Sequence, residues 1–245
     1  MSGSDKKKSL ATFFWAWGIM TVLGVVAGLW VPSHIMPRSM SGNMHLTVLT
    51  MVVFTVSAAP VAAGIYAAGL YVLRNFRYRG EGIPPAATPV RENNALLTSW
   101  IVASTVLTIF VLIWGLGALA ADNSSTGKDP LVVDVTGQQW LWTFHYAGTD
   151  VSTTHLILPL NREVEFRVTS KDVTHGFWIV NMGVQVDANS NVITTIHTTP
   201  DRTGTFDIRC EQFCGLNHSA MVTQGSVVSQ QNFQSWLASA PANAA

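Results

Sequence analysis

Cys210-Glu-Gln-Phe-Cys214-Gly-Leu-Asn-His218-Ser-Ala-Met221 gathers both cysteines of this 245-residue chain with a histidine and a methionine. On count alone, two cysteines in an exported domain would form a disulfide. The neighbours shift that balance. Thiolate, imidazole and thioether are soft or borderline donors, a set that suits copper. Two thiolates four residues apart on one loop could bridge two metal ions, with His218 and a second histidine capping the pair and Met221 as a weak donor. Zinc is the rival, since two cysteines and two histidines also make a zinc set. Met221 in register and export of the domain favour copper.

The half of the chain around this loop is patterned as strands. Leu131, Val133 and Val135 alternate with polar residues, as do Leu156, Leu158 and Leu160, and then Val164, Phe166 and Val168. Turn-forming clusters at 159–161, 187–191 and 200–204 separate the runs. Short strands at such spacing predict an all-β sandwich over residues 122–245, with Greek-key connectivity. Ser229 to Ala238 reads as a short amphipathic helix that buries Phe233, Trp236 and Leu237, with Ser229 as N-cap. Residues 241–245 read as a loose tail. The second histidine is expected from another loop. His175, in Asp172-Val-Thr-His175-Gly-Phe-Trp178 just after the strand ending near Ser170, is the candidate. His145, His155 and His197 stand in no motif.

The other half is of a different kind. Charged residues are 11% of the chain and the net charge is zero, yet residues 1–121 hold eight bases and three acids, and residues 122–245 six bases and eleven acids. A +5 half joined to a −5 half means two environments. Residues 10–31, 46–73 and 95–121 are uncharged, and each exceeds the roughly 20 residues a helix needs to cross a bilayer. Three transmembrane helices are expected, the second kinked at Pro60. Lys6, Lys7 and Lys8 precede the first, while Arg74, Arg77, Arg79 and Arg91 lie between the second and third. The positive-inside rule puts both regions in the cytoplasm and delivers residues 122–245 to the outside. The first apolar run has the basic start of a signal peptide but exceeds the usual apolar length, which favours an anchor. The partners expected are lipid and other proteins, not nucleic acid.

The spacing Cys-x-x-x-Cys-x-x-x-His-x-x-Met, with Asn217-His218-Ser219 inside it, resembles the copper loop of cytochrome c oxidase subunit II, the CuA-bearing subunit of haem-copper oxidases. Asp172-x-x-His175 and Gly137-Gln-Gln-Trp140-Leu-Trp142 resemble that family's other two signatures. The resemblance implies a cupredoxin-like Greek-key sandwich and a dinuclear copper site. Its ligands would be His175, Cys210, the backbone carbonyl of Gln212, Cys214, His218 and Met221. It also implies that the donor's electron enters at Trp140, the donor being a cytochrome c attracted by the acidic domain. The recipient would be haem in a catalytic partner subunit that reduces oxygen, in a respiratory membrane such as a bacterial plasma membrane. Period-two geometry alone would allow Trp140 and Trp142 both to be core.

The chain departs from the family in three places. Gln212 replaces the usual Glu, which removes a carboxylate that would help hold magnesium and is more like B-type oxidases, whereas the Trp140 signature is more A-like. A third span precedes the usual helix pair. No acid stands just before Trp100, where Leu96, Leu97, Thr98 and Ser99 precede it; Glu92 is the nearest that could admit protons, though such an acid is more often simply solvated. No Cys-x-x-Cys-His is present, so no c-type haem is fused to the chain. Quinol-oxidising relatives lack the copper cysteines, which disfavours quinol as donor. The rival functions are a CuA-bearing subunit of a nitric oxide reductase and a membrane-tethered copper-delivery protein. The latter would expose Met- or His-rich sites.

Overall fold

The structure, a computed structural model, describes residues 3–76, 80, 93–122, 127 and 129–240, the side chains of residues 3–9 excepted. Arg77, Arg79, Arg91 and Glu92 lie outside the described residues. The chain forms two compact units.

The first unit is built from three helices, α1 (Gly3–Ile35), α2 (Gly42–Asn75) and α3 (Asn94–Asp122), less the first turns of α2 and the last of α3. Each contains one of the expected spans and is long and apolar enough to cross a membrane. Helix α3 buries no residue within the chain, although its surface is apolar. Such a surface suits lipid or another membrane protein rather than water. Helices α1 and α2 meet at small residues. A Cβ on Gly28 would come within 3.1 Å of Thr55 and 3.2 Å of Val56, and one on Gly24 within 3.0 Å of Ala59. In lipid, where burying apolar surface gives no drive, this close approach is what holds helices together. Trp17 Nε1 adds a hydrogen bond to the Pro60 carbonyl at 2.8 Å, and α2 runs unbroken through Pro60.

The second unit is the β-domain. Its ten strands are β1 (Leu131–Gln138), β2 (Leu141–Tyr146), β3 (Ser152–Thr153), β4 (Leu156–Pro159), β5 (Val164–Ser170), β6 (His175–Ile179), β7 (Val184–Ala188), β8 (Thr194–Thr198), β9 (Gly204–Cys210) and β10 (Val222–Val228). They form two sheets, in the orders β3-β2-β1-β5-β8 and β4-β10-β9-β6-β7. β1 runs parallel to β5, and β4 to β10; the remaining pairs are antiparallel. Alternation explains the core. Val133 and Val135, Phe166 and Val168, Leu156 and Leu158, and Phe206 and Ile208 are all buried between the sheets. Leu160 falls just past β4, and the 187–191 cluster begins inside β7. The turn itself is made by Asn191 at φ 62°, a left-handed conformation that asparagine tolerates, as Asn161 does at φ 57°.

Two further links close the sandwich. The Tyr146 hydroxyl donates to the Ile157 carbonyl and accepts from the Ile157 N–H, both at 2.8 Å, tying β2 to β4. Burial pushes that phenol well above its ordinary pKa. Helix α4 (Gln230–Ser239) starts at Ser229, whose hydroxyl accepts from the Asn232 N–H at 3.2 Å, and it lays Phe233 and Trp236 against Tyr146.

One feature escaped the sequence reading. Residues 36–48, the connection between α1 and α2 with the first turns of α2, fold with the β-domain. Met40, Ser41 and Met44 are buried there. Met40 N–H donates to the Asn181 carbonyl (2.9 Å), Ser41 Oγ to the Met182 carbonyl (2.6 Å), and Asp201 N–H to the Met40 carbonyl (3.0 Å). Nothing in that polar, Pro-containing stretch marks it as a packing segment.

Candidate metal centre

β6 begins at His175 and β9 ends at Cys210; Phe177 of β6 pairs with Cys210, so the two strands deliver both side chains to one end of the sandwich. The chain then makes a compact loop, with Cys214 at its centre and His218 in a short 3-10 turn. It returns through Met221 to β10, and the Cys210 N–H closes the loop by donating to the Met221 carbonyl at 3.1 Å. Gly215 inside the loop has φ 127°, and a Cβ there would strike Gln139 Nε2 at 2.8 Å. Only glycine fits on both grounds.

The donor atoms converge. The two sulfurs are 3.7 Å apart, and both cysteines are free thiols; a disulfide would need roughly 2 Å. His175 Nδ1 lies 3.8 Å from Cys210 Sγ, and His218 Nδ1 lies 3.6 Å from Cys214 Sγ. Met221 Sδ is 3.8 Å from Cys214 Sγ, and the Gln212 carbonyl oxygen 3.3 Å from Cys210 Sγ. The donor atoms of His175, Cys210 and Cys214 all lie within 4.8 Å of one another, close enough to hold a metal ion. All six residues picked from the sequence are thus brought together. His175, Cys214 and Met221 are buried, while Cys210 and His218 keep partial exposure.

The electrostatics of the metal-free site favour a cation. Burial pushes the Cys214 thiol up to about 11, and the adjacent Cys210 sulfur pushes it the same way. The Cys214 thiolate is therefore disfavoured in the metal-free site, and a bound cation would stabilise it. Asp172 shows the opposite shift. Burial raises its pKa, but the N–H groups of Gln139 and Val173 and the His175 ring outweigh burial and hold it at about 2. Its carboxylate therefore stabilises the fold above the ordinary carboxylate range, and that contribution is lost as pH falls through about 2.

Asp172 was legible only as part of a motif, and its task is visible in the structure. Oδ1 accepts from His175 Nε2 at 2.8 Å, which places the proton on Nε2 and leaves the Nδ1 lone pair facing the sulfurs. Oδ2 accepts from the Gln139 N–H at 2.8 Å. Asp-x-x-His was the sequence signal for the first contact; nothing signalled the second.

Trp140 and Trp142 have different fates. Trp142, in β2, is buried with its ring against His175 (5.8 Å) and Phe177 (5.3 Å). Trp140 sits in the turn between β1 and β2 and is half-buried, and its indole faces Gly215 closely enough that a Cβ there would stand 3.5 Å from Cζ2. The turn at Gln139 and Trp140 separates them, while Gly137 lies inside β1. Among the described residues of the β-strands and their loops, the large apolar side chains left exposed are Leu141, Val173, Val192, Ile193, Phe213, Leu216 and Val222. Five lie on loops, and Leu141 and Val222 open β2 and β10 next to this cluster, so this end of the domain is an apolar crown.

A two-sheet sandwich that gathers cysteine, histidine and methionine on its end loops, preceded by membrane helices, defines a membrane-tethered cupredoxin-like protein. Comparison with known proteins narrows the class. Residues 149–228 match the family described as cytochrome c oxidase subunit II, periplasmic domain. Cytochrome c oxidase subunit 2 of Thermostichus vulcanus is 34% identical over 119 residues, covering 48% of this chain and 36% of the relative. Heme-copper oxidase subunit 2 of Aeropyrum pernix is 36% identical over 128 residues, covering 50% and 55%. The periplasmic domain of subunit II of the Bradyrhizobium japonicum cytochrome oxidase is 26% identical and covers 47% of this chain and 96% of that one, with a TM-score of 0.43. The chain spans about a third to a half of the length of these curated relatives. Residues 149–228 are thus similar to the periplasmic domain of cytochrome c oxidase subunit II.

Proposed function

We propose that this chain is the electron-accepting subunit of a haem-copper terminal oxidase, and that His175, Cys210, the Gln212 carbonyl, Cys214, His218 and Met221 hold a dinuclear copper (CuA) centre. The observation that carries the reading is the unbridged sulfur pair with an imidazole Nδ1 against each sulfur. A single tetrahedral zinc would draw both imidazoles to one point, whereas here each histidine faces its own cysteine. When bound, a copper pair accepts one electron and passes it on. The protein's part is to keep the donors in place. Cys210 and His175 sit at the ends of paired strands, Asp172 fixes the His175 ring, and Met221 and Cys214 are closed off from water. Donors so held change little when charge changes, which keeps reorganisation small.

Electrons are proposed to come from a cytochrome c docking on the apolar crown around Trp140. Asp187 and Glu211, exposed on either side of Gly176, supply negative charge for a basic partner. The acceptor is proposed to be haem in a catalytic subunit, for which the apolar surface of α3 is the natural membrane contact. The N-terminus is assigned to the cytoplasm. The bases Lys6, Lys7 and Lys8 ahead of the first span support that assignment by the positive-inside rule. A proton role for Glu92 stays a sequence expectation.

Purifying the full chain from its native membrane tests the functional reading. A haem-bearing large subunit is expected to accompany it, and the complex is expected to consume oxygen with a reduced c-type cytochrome as donor. Nitric oxide reduction without oxygen consumption would reassign it to the rival complex, and purification alone would favour copper delivery. The raised Cys214 pKa adds a pH dependence: loading copper into metal-free chain displaces thiol protons, so uptake at pH 8 is expected to exceed that at pH 6 and to release protons. A pH-independent loading with no proton release would contradict a thiolate site.

A further inference from the structure

We propose that Gln139 is the positioning residue for electron transfer into the site, clamping Trp140 to both metal-binding loops at once. This rests on the copper reading above and adds a residue to it. Gln139 has two separate attachments. Its side-chain Nε2 donates to the Cys214 carbonyl at 2.7 Å, and its backbone N–H donates to Asp172 Oδ2 at 2.8 Å. Asp172 Oδ1 in turn accepts from His175 Nε2 at 2.8 Å. The residue immediately before Trp140 is therefore bound on one side to a cysteine ligand and on the other, through one carboxylate, to a histidine ligand.

The clamp has a consequence for Trp140. Its indole faces the peptide that follows Cys214, close enough that a Cβ on Gly215 would stand 3.5 Å from Cζ2 and 3.6 Å from Nε1. No described group accepts a hydrogen bond from that Nε1, so nothing in the ring itself fixes its distance from the loop. Gln139 fixes it instead. Its amide hydrogen bond to the Cys214 carbonyl oxygen ends four covalent bonds from Sγ, and the ring faces the neighbouring residue. In the transfer, the donor's iron is oxidised by one electron and the metal pair is reduced by one; no bond breaks and no proton moves. Tunnelling falls steeply with each gap crossed through space, so a clamp that holds the ring in contact sets the rate without binding donor or metal.

The test uses the copper-loaded full chain in detergent, mixed with ferrocytochrome c. In Gln139→Ala, the first-order rate of electron transfer at saturating cytochrome is expected to fall roughly tenfold, with half-saturation within about twofold. Copper content and absorption spectrum are expected to match the parent. Gln139→Glu keeps the backbone bond but sets a carboxylate against the Cys214 carbonyl, and it is expected to behave like Gln139→Ala. Hydrogen exchange supplies a readout independent of turnover. The His218 amide, which donates to the Gly215 carbonyl at 3.2 Å, is expected to exchange faster in metal-free Gln139→Ala than in metal-free parent. An unchanged transfer rate in Gln139→Ala, a change confined to half-saturation, or loss of copper would overturn the positioning role. A parent chain without paired copper would instead overturn the copper reading, so the two failures are distinct.

Discussion

Replacing Cys210 by serine is expected to abolish the proposed paired copper site and to leave the β-domain folded. Serine keeps the size of the side chain but offers a hard oxygen that does not ionise near neutral pH, so the bridge between two soft metal ions is lost. Cys210 is partly exposed at the end of β9, and its substitution leaves no cavity in the sandwich. Electron acceptance from cytochrome c is expected to fall by more than about a hundredfold, beyond what changes around a metal's ligands produce. Cys214→Ser is expected to lose the site equally and also some stability, because Cys214 is 3% exposed and a hydroxyl buried there without a partner costs about 1–3 kcal/mol. Metal analysis and thermal unfolding of the two variants read both effects. A Cys210→Ser chain that retains two copper ions would show that the sulfurs do not bridge them.

The tryptophan pair predicts the second large effect. Trp140→Ala is expected to slow electron transfer from cytochrome c by at least tenfold at saturating donor, with copper content, spectrum and thermal stability close to the parent. Trp142→Ala is expected to act oppositely in kind. Its ring is buried against His175 and Phe177, so truncation opens a core cavity at a cost of about 3–5 kcal/mol and loosens a copper ligand. Added salt separates docking from transfer. It is expected to raise half-saturation modestly by screening Asp187 and Glu211, while the apolar crown keeps binding measurable and the rate at saturation holds. Loss of copper from Trp140→Ala would make that residue part of the metal frame and move the point where electrons enter elsewhere.

What the sequence disclosed follows the physics of its signals. The convergence of Cys210, Cys214, His218 and Met221 was legible because donors close in sequence need only one loop to bring them together. The β-domain was legible because its strands are half-buried and alternate cleanly, as Val133 and Val135 or Phe166 and Val168 do. The three helices were legible from length and the absence of charge alone. The second tier was not. Gln139 reaches Cys214 across 75 residues, and the backbone bond from Gln139 to Asp172 has no side-chain signature on its donor. Ser41, whose hydroxyl meets Met182 across 141 residues, looks like any loop serine. The different fates of Trp140 and Trp142 turned on a two-residue turn that strand periodicity cannot locate. Long-range polar contacts carry no period, and they are what fixes the site.

The most direct test is the metal content and thiol state of the full chain purified under mild, oxygen-controlled conditions. Two copper ions per chain, no thiol accessible to reagent until the metal is removed, and a hyperfine pattern from one unpaired electron shared equally by two nuclei are the expected results. One zinc ion per chain, or a Cys210–Cys214 disulfide in the native protein, would contradict them.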